Sequence, residues 1–332
     1  MAADSDIRWG ILGTAHIATK VCNAIHRARE AQPLAIASRQ LSKAQQWATQ
    51  HQVPKAYGSY EELLRDPEID AIYLPLPPSL HKEWVLAAAD HGKHVLCEKP
   101  LAGSTSDCIA MLDACRSNQV QLMDGVMWVH HERATKMKQD FACLGRIRRL
   151  TAAFTFCWDD IPENNIRLNP ELAGGCLGDL GYYCVRAAWW AFGEPPKQVY
   201  ATARYYNDVE MNLSALMWYD DERMASFDCG FDTQLRNWLE VSGSQGSLVC
   251  DDFVLPVSEE RARWWLHLKG NVREEQAVEN CVQEVRMIEN FSDLVRHGEL
   301  EPRWPNDAVS TMRICDALAY SARHHQKVEV AI

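Results

Sequence analysis

Ile7–Leu12 is an unbroken apolar run that stops at Gly13, and a helical repeat follows almost at once. Ile17, Val21, Ile25 and Ala28 recur three and four residues apart, with Ala18 and Ala24 beside them. That spacing puts them on one face of a helix. A strand that feeds straight into a helix leaves few choices. The helix must cross back over the sheet, and the next strand must lie parallel to the first. The unit then repeats. Apolar runs at 34–37, 69–74, His94–Cys97 and 120–123 alternate with helical segments at 42–50, 80–90 and 104–117. Ala44, Trp47 and Ala48 mark the buried face of the first of these helices, and Trp84, Val85 and Ala88 that of the second. Near-continuous apolar strands are those covered on both faces, as in a parallel sheet. The pattern predicts an α/β domain that ends near Gly125.

Beyond that point the rhythm changes. Strand-like segments at 147–158, 199–206, 213–219, 224–231, 238–242 and 247–250 are punctuated by polar turns at 220–223 and 243–246. Short turns between strands make hairpins, so this half predicts a mostly antiparallel sheet. Helices are expected at 176–192, 281–297 and 306–324. The fold class expected is therefore α/β for residues 1–125 and α+β, on an open, mostly antiparallel sheet, for residues 126–332. A chain of 332 residues is long enough for two such cores.

Composition narrows the function. The 34 Lys and Arg are outnumbered by 45 Asp and Glu, for a net charge of −11. Such a balance argues against nucleic acid or an anionic membrane as partner, and leaves room for a local phosphate pocket. No apolar stretch approaches the roughly 20 residues that span a bilayer. Residues 1–7 lack the basic and apolar segments of a secretory leader. None of the 12 cysteines falls in a Cys-x-x-Cys pair. They read as reduced, mostly buried thiols in a cytoplasmic protein. The 12 tryptophans point to an aromatic-rich core or a site that stacks on rings.

Gly13-Thr14-Ala15-His16-Ile17-Ala18 sits between the first strand and the first helix, the context of a dinucleotide-binding Gly-x-Gly-x-x-Gly/Ala turn. Gly13 supplies the tight turn, the helix start offers N–H groups to a pyrophosphate, and Ala18 permits close packing. Ala15 replaces the second glycine. At the end of the second strand a carboxylate would select NAD. This chain has Ser38 and Arg39 there, with Lys43 one turn into the next helix. A hydroxyl, a guanidinium and an ammonium suit a 2′-phosphate, so NADP is expected rather than NAD.

Pro75-Leu76-Pro77-Pro78-Ser79-Leu80-His81, Cys97-Glu98-Lys99-Pro100 and the Gly174-Gly175…Asp179…Gly181…Tyr183 segment resemble the Gfo/Idh/MocA oxidoreductase family along essentially the whole chain. Residues 123–131 are similar to the branch holding dimeric dihydrodiol dehydrogenases and NADP-dependent aldose dehydrogenases. The resemblance implies an N-terminal Rossmann domain and a C-terminal sheet whose open face makes a homodimer. It also implies that Leu74, Pro75, Leu76, Pro77, His81, Glu98 and Lys99 line the cofactor, and that Lys99, Asp179 and Tyr183 form the catalytic group. Trp128 and Arg167 are implied to contact substrate.

These residues make chemical sense together. Lys99 ends a strand of an open α/β sheet, where ligands bind, and Pro100 turns it away from helix. Asp179 and Tyr183 are four apart on an expected helix and share a face, with Arg186 and Trp190 continuing it. Tyr normally titrates near pH 10, and a nearby ammonium lowers that value. Tyr183 is thus expected to move the hydroxyl proton, with Lys99 as the alternative carrier, and Gly174 and Gly175 to let backbone approach a ligand. The expected activity is NADP-dependent hydride transfer at a hydroxyl or carbonyl of a small cyclic polyol, a sugar or a trans-dihydrodiol. Two alternatives share the fold: an NAD-dependent redox glycosidase and a non-enzymatic dinucleotide-sensing regulator. The adjacent pairs His130-His131 and His324-His325 cannot face one ion from a helix, so no metal is expected.

Overall fold

The computed structural model describes residues 6–158 and 161–330. Most of the stretch read above for a leader lies outside the described residues. The chain forms two compact units, Met1–His130 with Gln283–Val309, and His131–Val282 with Ser310–Ile332.

In the first unit β1 (Ile7–Leu12), α1 (His16–Arg27), β2 (Ala31–Ala37), α2 (Leu41–His51), β3 (Lys55–Tyr57), α3 (Tyr60–Leu64), β4 (Ala71–Leu74), α4 (Pro78–Asp90), β5 (His94–Cys97), α5 (Thr105–Ser117) and β6 (Leu122–Asp124) alternate along the chain. The strands are all parallel in the order β3-β2-β1-β4-β5-β6. This is the doubly wound arrangement, with its crevice outside the carboxyl ends of β1 and β4. Helix starts follow local chemistry. Pro78 opens α4, and the Ser104 hydroxyl accepts from Asp107 N at 3.2 Å ahead of α5. The short β3 and α3 carry no apolar run, which is why the periodicity missed them.

A charged cluster ties β3 to the segment before β4. Lys55 Nζ lies 2.8 Å from Asp66 Oδ2, the Tyr57 hydroxyl donates to the same oxygen at 2.7 Å, and Glu68 N donates to Oδ1 at 2.9 Å. Burial pushes the Asp66 carboxyl up, but these donors outweigh it and hold it down at about 2. A depressed folded-state value contributes stability above the unfolded value of 3.8 that is lost as pH falls toward 2. Asp66→Asn is expected to cost about 2 kcal/mol at pH 7. Thermal unfolding from pH 7 to pH 2 checks this: the Tm gap between wild type and variant should close as the acid is approached. A gap that stays constant would show that the carboxylate charge contributes nothing.

The second unit carries α6 (Glu132–Asp140), β7 (Ile147–Thr155), α7 (Tyr182–Phe192), β8 (Gln198–Tyr206), β9 (Val209–Trp218), β10 (Met224–Gly230), β11 (Arg236–Gly243), β12 (Gly246–Cys250), β13 (Arg261–Leu268) and β14 (Val272–Glu279). α8 (Gln283–His297) belongs to the first unit, where Phe291 packs on Trp9 with ring centroids 5.2 Å apart and Glu289 pairs with Arg29. A single cut at 125/126 therefore does not describe the packing. α9 (Arg303–His324) contains the division at Val309, and β15 (Val328–Glu329) ends the described chain.

The second sheet runs β14-β13-β12-β11-β7-β10-β9-β8-β15. It is antiparallel except for the parallel pair β7–β10. The polar turns at 220–223 and 243–246 do close hairpins, joining β9 to β10 and β11 to β12. One face is buried through Ala152, Leu213, Met217, Phe227, Leu239 and Val241. The alternate residues Leu216, Trp218, Trp238 and Trp265 stay half-buried on the other. β14 escaped the sequence reading because half of Val272–Glu279 is charged. Charge on an outer strand discourages pairing with another chain. All twelve cysteines are free thiols, and all but Cys143 and Cys157 are buried. No helix among the described residues is long and apolar enough to cross a membrane.

Candidate active site

The first unit presents the cofactor-type features. Gly13 has φ +114°, and a Cβ there would lie 3.0 Å from Leu76 and 3.5 Å from the Tyr60 hydroxyl. Only glycine takes that conformation in that space. Gly13 N donates to Ala37 O at 2.9 Å, pinning the turn to the end of β2. Ala15 is the N-cap of α1 at φ −63°, ψ 157°, an extended conformation open to any L-residue. Its methyl thus needs no special backbone, which is how Ala stands where the familiar turn has Gly. No side chain caps α1 and no acid occupies its first turn. Its opening amides, near the partly exposed Thr14 and Ile17 and the exposed His16, remain available to an anion.

Ser38 is buried at the end of β2, while Arg39 and Lys43 are exposed at the start of α2. Tyr60, absent from the sequence reading, stands between the two features. Its hydroxyl nears Gly13, and its ring meets Trp84 edge-on at 4.8 Å. Burial raises its hydroxyl pKa and the Arg39 charge opposes that rise. The uncapped turn, the missing Cβ and the two free-standing cations fit a phosphorylated dinucleotide.

The loops after β4 and β5 are laced together. Leu74 and Pro75 are buried and Leu76 and Pro77 half-buried. His81 is fully buried, with Nε2 2.7 Å from Leu76 O and Nδ1 3.1 Å from both Pro100 O and Leu101 O. Burial lowers its pKa, and the three carbonyls pull the other way. Glu98 turns inward. It accepts from the Tyr73 hydroxyl at 2.6 Å and from Lys99 N at 3.2 Å, and burial pushes its carboxyl up. These bonds fix the backbone that presents the half-buried Lys99. Trp128 lies in a 3-10 turn, Met127–His130, and is 1% exposed.

The second unit presents the Asp and Tyr. The expected single helix over 176–192 is two pieces, a π-helical turn Leu177–Gly181 and then α7. Asp179 lies on the π turn and Tyr183 in the first turn of α7, where its buried ring meets Phe154 at 5.5 Å. The stripe does not continue as expected. Arg186 is 1% exposed and donates to the Thr311 hydroxyl at 2.8 Å, an internal brace to α9.

Arg167 is the larger surprise. Its Nε donates to Asp179 Oδ2 at 2.6 Å, and its guanidinium lies 5.8 Å from the ring centroids of both Phe156 and Trp158. The two glycines serve this arrangement rather than an open approach for ligand. A Cβ on Gly174 would sit 2.6 Å from the carbonyl oxygens of Ile166 and Arg167. One on Gly175, at φ +110°, would overlap the buried Glu210 carboxylate. Nothing in the spacing of Glu210 or Phe156 pointed to this site. Among the described residues no group of three or more His, Cys, Asp or Glu side chains is disposed to hold a metal ion.

Comparison with known proteins agrees with both units. Residues 7–126 match the family model described as oxidoreductase family, NAD-binding Rossmann fold, and residues 140–249 match the GFO/IDH/MocA C-terminal domain. The chain is 36% identical to D-xylose 1-dehydrogenase (NADP(+)) 2 of Haloferax volcanii, over 97% of this chain and 99% of that one. It is 34% identical to trans-1,2-dihydrobenzene-1,2-diol dehydrogenase of Sus scrofa over 72% of each. A 3-ketoreductase from Actinomadura kijaniata, solved in complex with NADP and TDP-benzene, superposes with a TM-score of 0.89 at 28% identity, covering 96% of this chain and 98% of that one.

Proposed function

The chain belongs to the Gfo/Idh/MocA oxidoreductase family, and from that premise we propose that it is an NADP-dependent dehydrogenase of a small cyclic polyol, a sugar or a trans-dihydrodiol. That it is an oxidoreductase follows from the family. The cofactor and substrate class are our reading. The observation that carries it is the uncapped α1 turn behind Gly13, with Arg39 exposed just before α2 and Lys43 exposed in its first turn. The Haloferax and Sus relatives act on a sugar and a cyclic diol respectively, as their names state, which supports the substrate class.

In this reading residues 1–125 bind dinucleotide and residues 126–332 recognise substrate. Gly13, Thr14, Ala15, His16 and Ile17 take the pyrophosphate, Ser38, Arg39 and Lys43 the 2′-phosphate, and Leu74–Pro77 with His81 and Glu98 shape the adjoining wall. When bound, the nicotinamide supplies or accepts the hydride. Tyr183 passes the hydroxyl proton, Asp179 fixes the orientation of that hydroxyl, and Lys99 is the cationic member of the catalytic group. Trp128 and Arg167 bound the substrate side. The half-buried tryptophans of the second sheet favour a homodimer through that face. The free thiols suit a reducing compartment such as the cytoplasm.

The test is nicotinamide absorbance with NADP and with NAD across aldoses, inositols and cyclic diols. NADP turnover with at least one neutral cyclic polyol is expected. Turnover with NAD alone would refute the cofactor assignment, and turnover confined to acyclic or charged substrates would refute the substrate class.

A further inference from the structure

We propose that Arg167 is a positioning residue that works through Asp179, rather than a residue that binds substrate by its own charge. The inference rests on the reading of Asp179 and Tyr183 given above and extends it by one residue. Four observations within the second unit converge on it. Arg167 Nε is 2.6 Å from Asp179 Oδ2, with the carboxylate side chain only 18% exposed. The guanidinium is flanked by Phe156 and Trp158, which limit its other orientations. Its backbone is fixed as well: Arg167 N donates to Asn165 Oδ1 at 3.0 Å, and Arg167 O accepts from Gly175 N at 2.9 Å. Asp179 N in turn donates to Gly175 O at 3.2 Å.

The loop therefore closes twice on the same residue, once through the Arg167 side chain on the Asp179 carboxylate and once through Gly175 O on the Asp179 backbone N–H. Gly174 is what permits it, since any Cβ there would push the Ile166 and Arg167 carbonyls away. A charge-assisted bond between a planar guanidinium and a carboxylate fixes direction as well as charge. It holds Asp179 Oδ2 on the π turn that leads directly into the turn bearing Tyr183. The positive charge of Arg167 is spent on Asp179, so the site favours a neutral polyol over a sugar acid or sugar phosphate.

The experiment is a kinetic and thermal double-mutant cycle with Arg167→Gln, Asp179→Asn and the double variant, beside Arg167→Lys and Tyr183→Phe. Arg167→Gln is expected to lower kcat about 10- to 100-fold with KM changed less than about threefold. Arg167→Lys should recover most of the rate. The double variant should be no slower than Asp179→Asn alone, the mark of residues acting as one unit. A KM increase at unchanged kcat, or additive losses, would overturn the proposal in favour of direct substrate contact. The same cycle is read in thermal unfolding of the protein without substrate, where non-additive Tm shifts are expected. Additive Tm shifts would overturn the ion pair whatever the activity, whereas an active Tyr183→Phe protein would overturn only the underlying catalytic reading.

Discussion

Tyr183→Phe is expected to lower kcat by about 10²- to 10⁴-fold, the range of a lost general acid–base group, and to leave the NADP dissociation constant within about twofold. The ring is buried against Phe154 at 5.5 Å, so Phe keeps the packing and removes one oxygen. Stopped-flow absorbance at 340 nm gives the rate, and quenching of protein fluorescence gives cofactor binding. The loss should be largest at neutral pH and shrink in alkali, where hydroxide replaces the missing base. A variant within threefold of wild type would remove Tyr183 from proton transfer and leave Lys99 as the group to examine.

The second large effect is expected at the start of α2. Arg39 and Lys43 are both exposed there, so replacing them with Ala disturbs no packing. Each charge-assisted contact to a phosphate is worth about 1.5–3 kcal/mol. The double variant should therefore lose about 10²- to 10⁴-fold in kcat/KM for NADP. For NAD, which lacks the 2′-phosphate, the change should stay within about threefold. Steady-state assays with the two cofactors decide it. Equal losses with both would mean that the two residues act on the fold of the turn and not on the phosphate.

Much of the first unit was legible because its strands are apolar on both faces and end at punctuating residues. Ile7–Leu12 and His94–Cys97 run where the sequence put them. β3 was not legible, since three half-exposed residues, Lys55–Tyr57, give no periodicity and owe their place to pairing with β2. In the second unit, β13 and β14 were hidden for a related reason. β14 is the edge strand and tolerates charge, so alternation is weak in Val272–Glu279, and β13 just inside it carries Arg261 and Arg263 at exposed positions. The motif residues Asp179 and Tyr183 could be picked from the resemblance of the Gly174-Gly175…Asp179…Gly181…Tyr183 segment to the family, but the π turn between them could not. It arises where Gly175, Glu210 and the Arg167 segment crowd the start of the helix. The inward turn of Glu98 was equally hidden, because nothing in the order Glu98-Lys99-Pro100 says that a tyrosine from the neighbouring strand will capture the carboxylate.

The crowding around Gly174 and Gly175 also constrains how such an enzyme can acquire a new substrate. Any side chain at Gly174 displaces two carbonyl oxygens, and any at Gly175 displaces a buried acid. Drift at these positions is closed off before selection on activity begins. Phe156 and Trp158 lie just past the last residue of β7, hydrogen-bonded through their backbones to Gly230 and Phe231. Their side chains can therefore change size without moving the chain. Divergence of specificity should accumulate on that strand extension, while the loop bearing Arg167 is inherited as a unit.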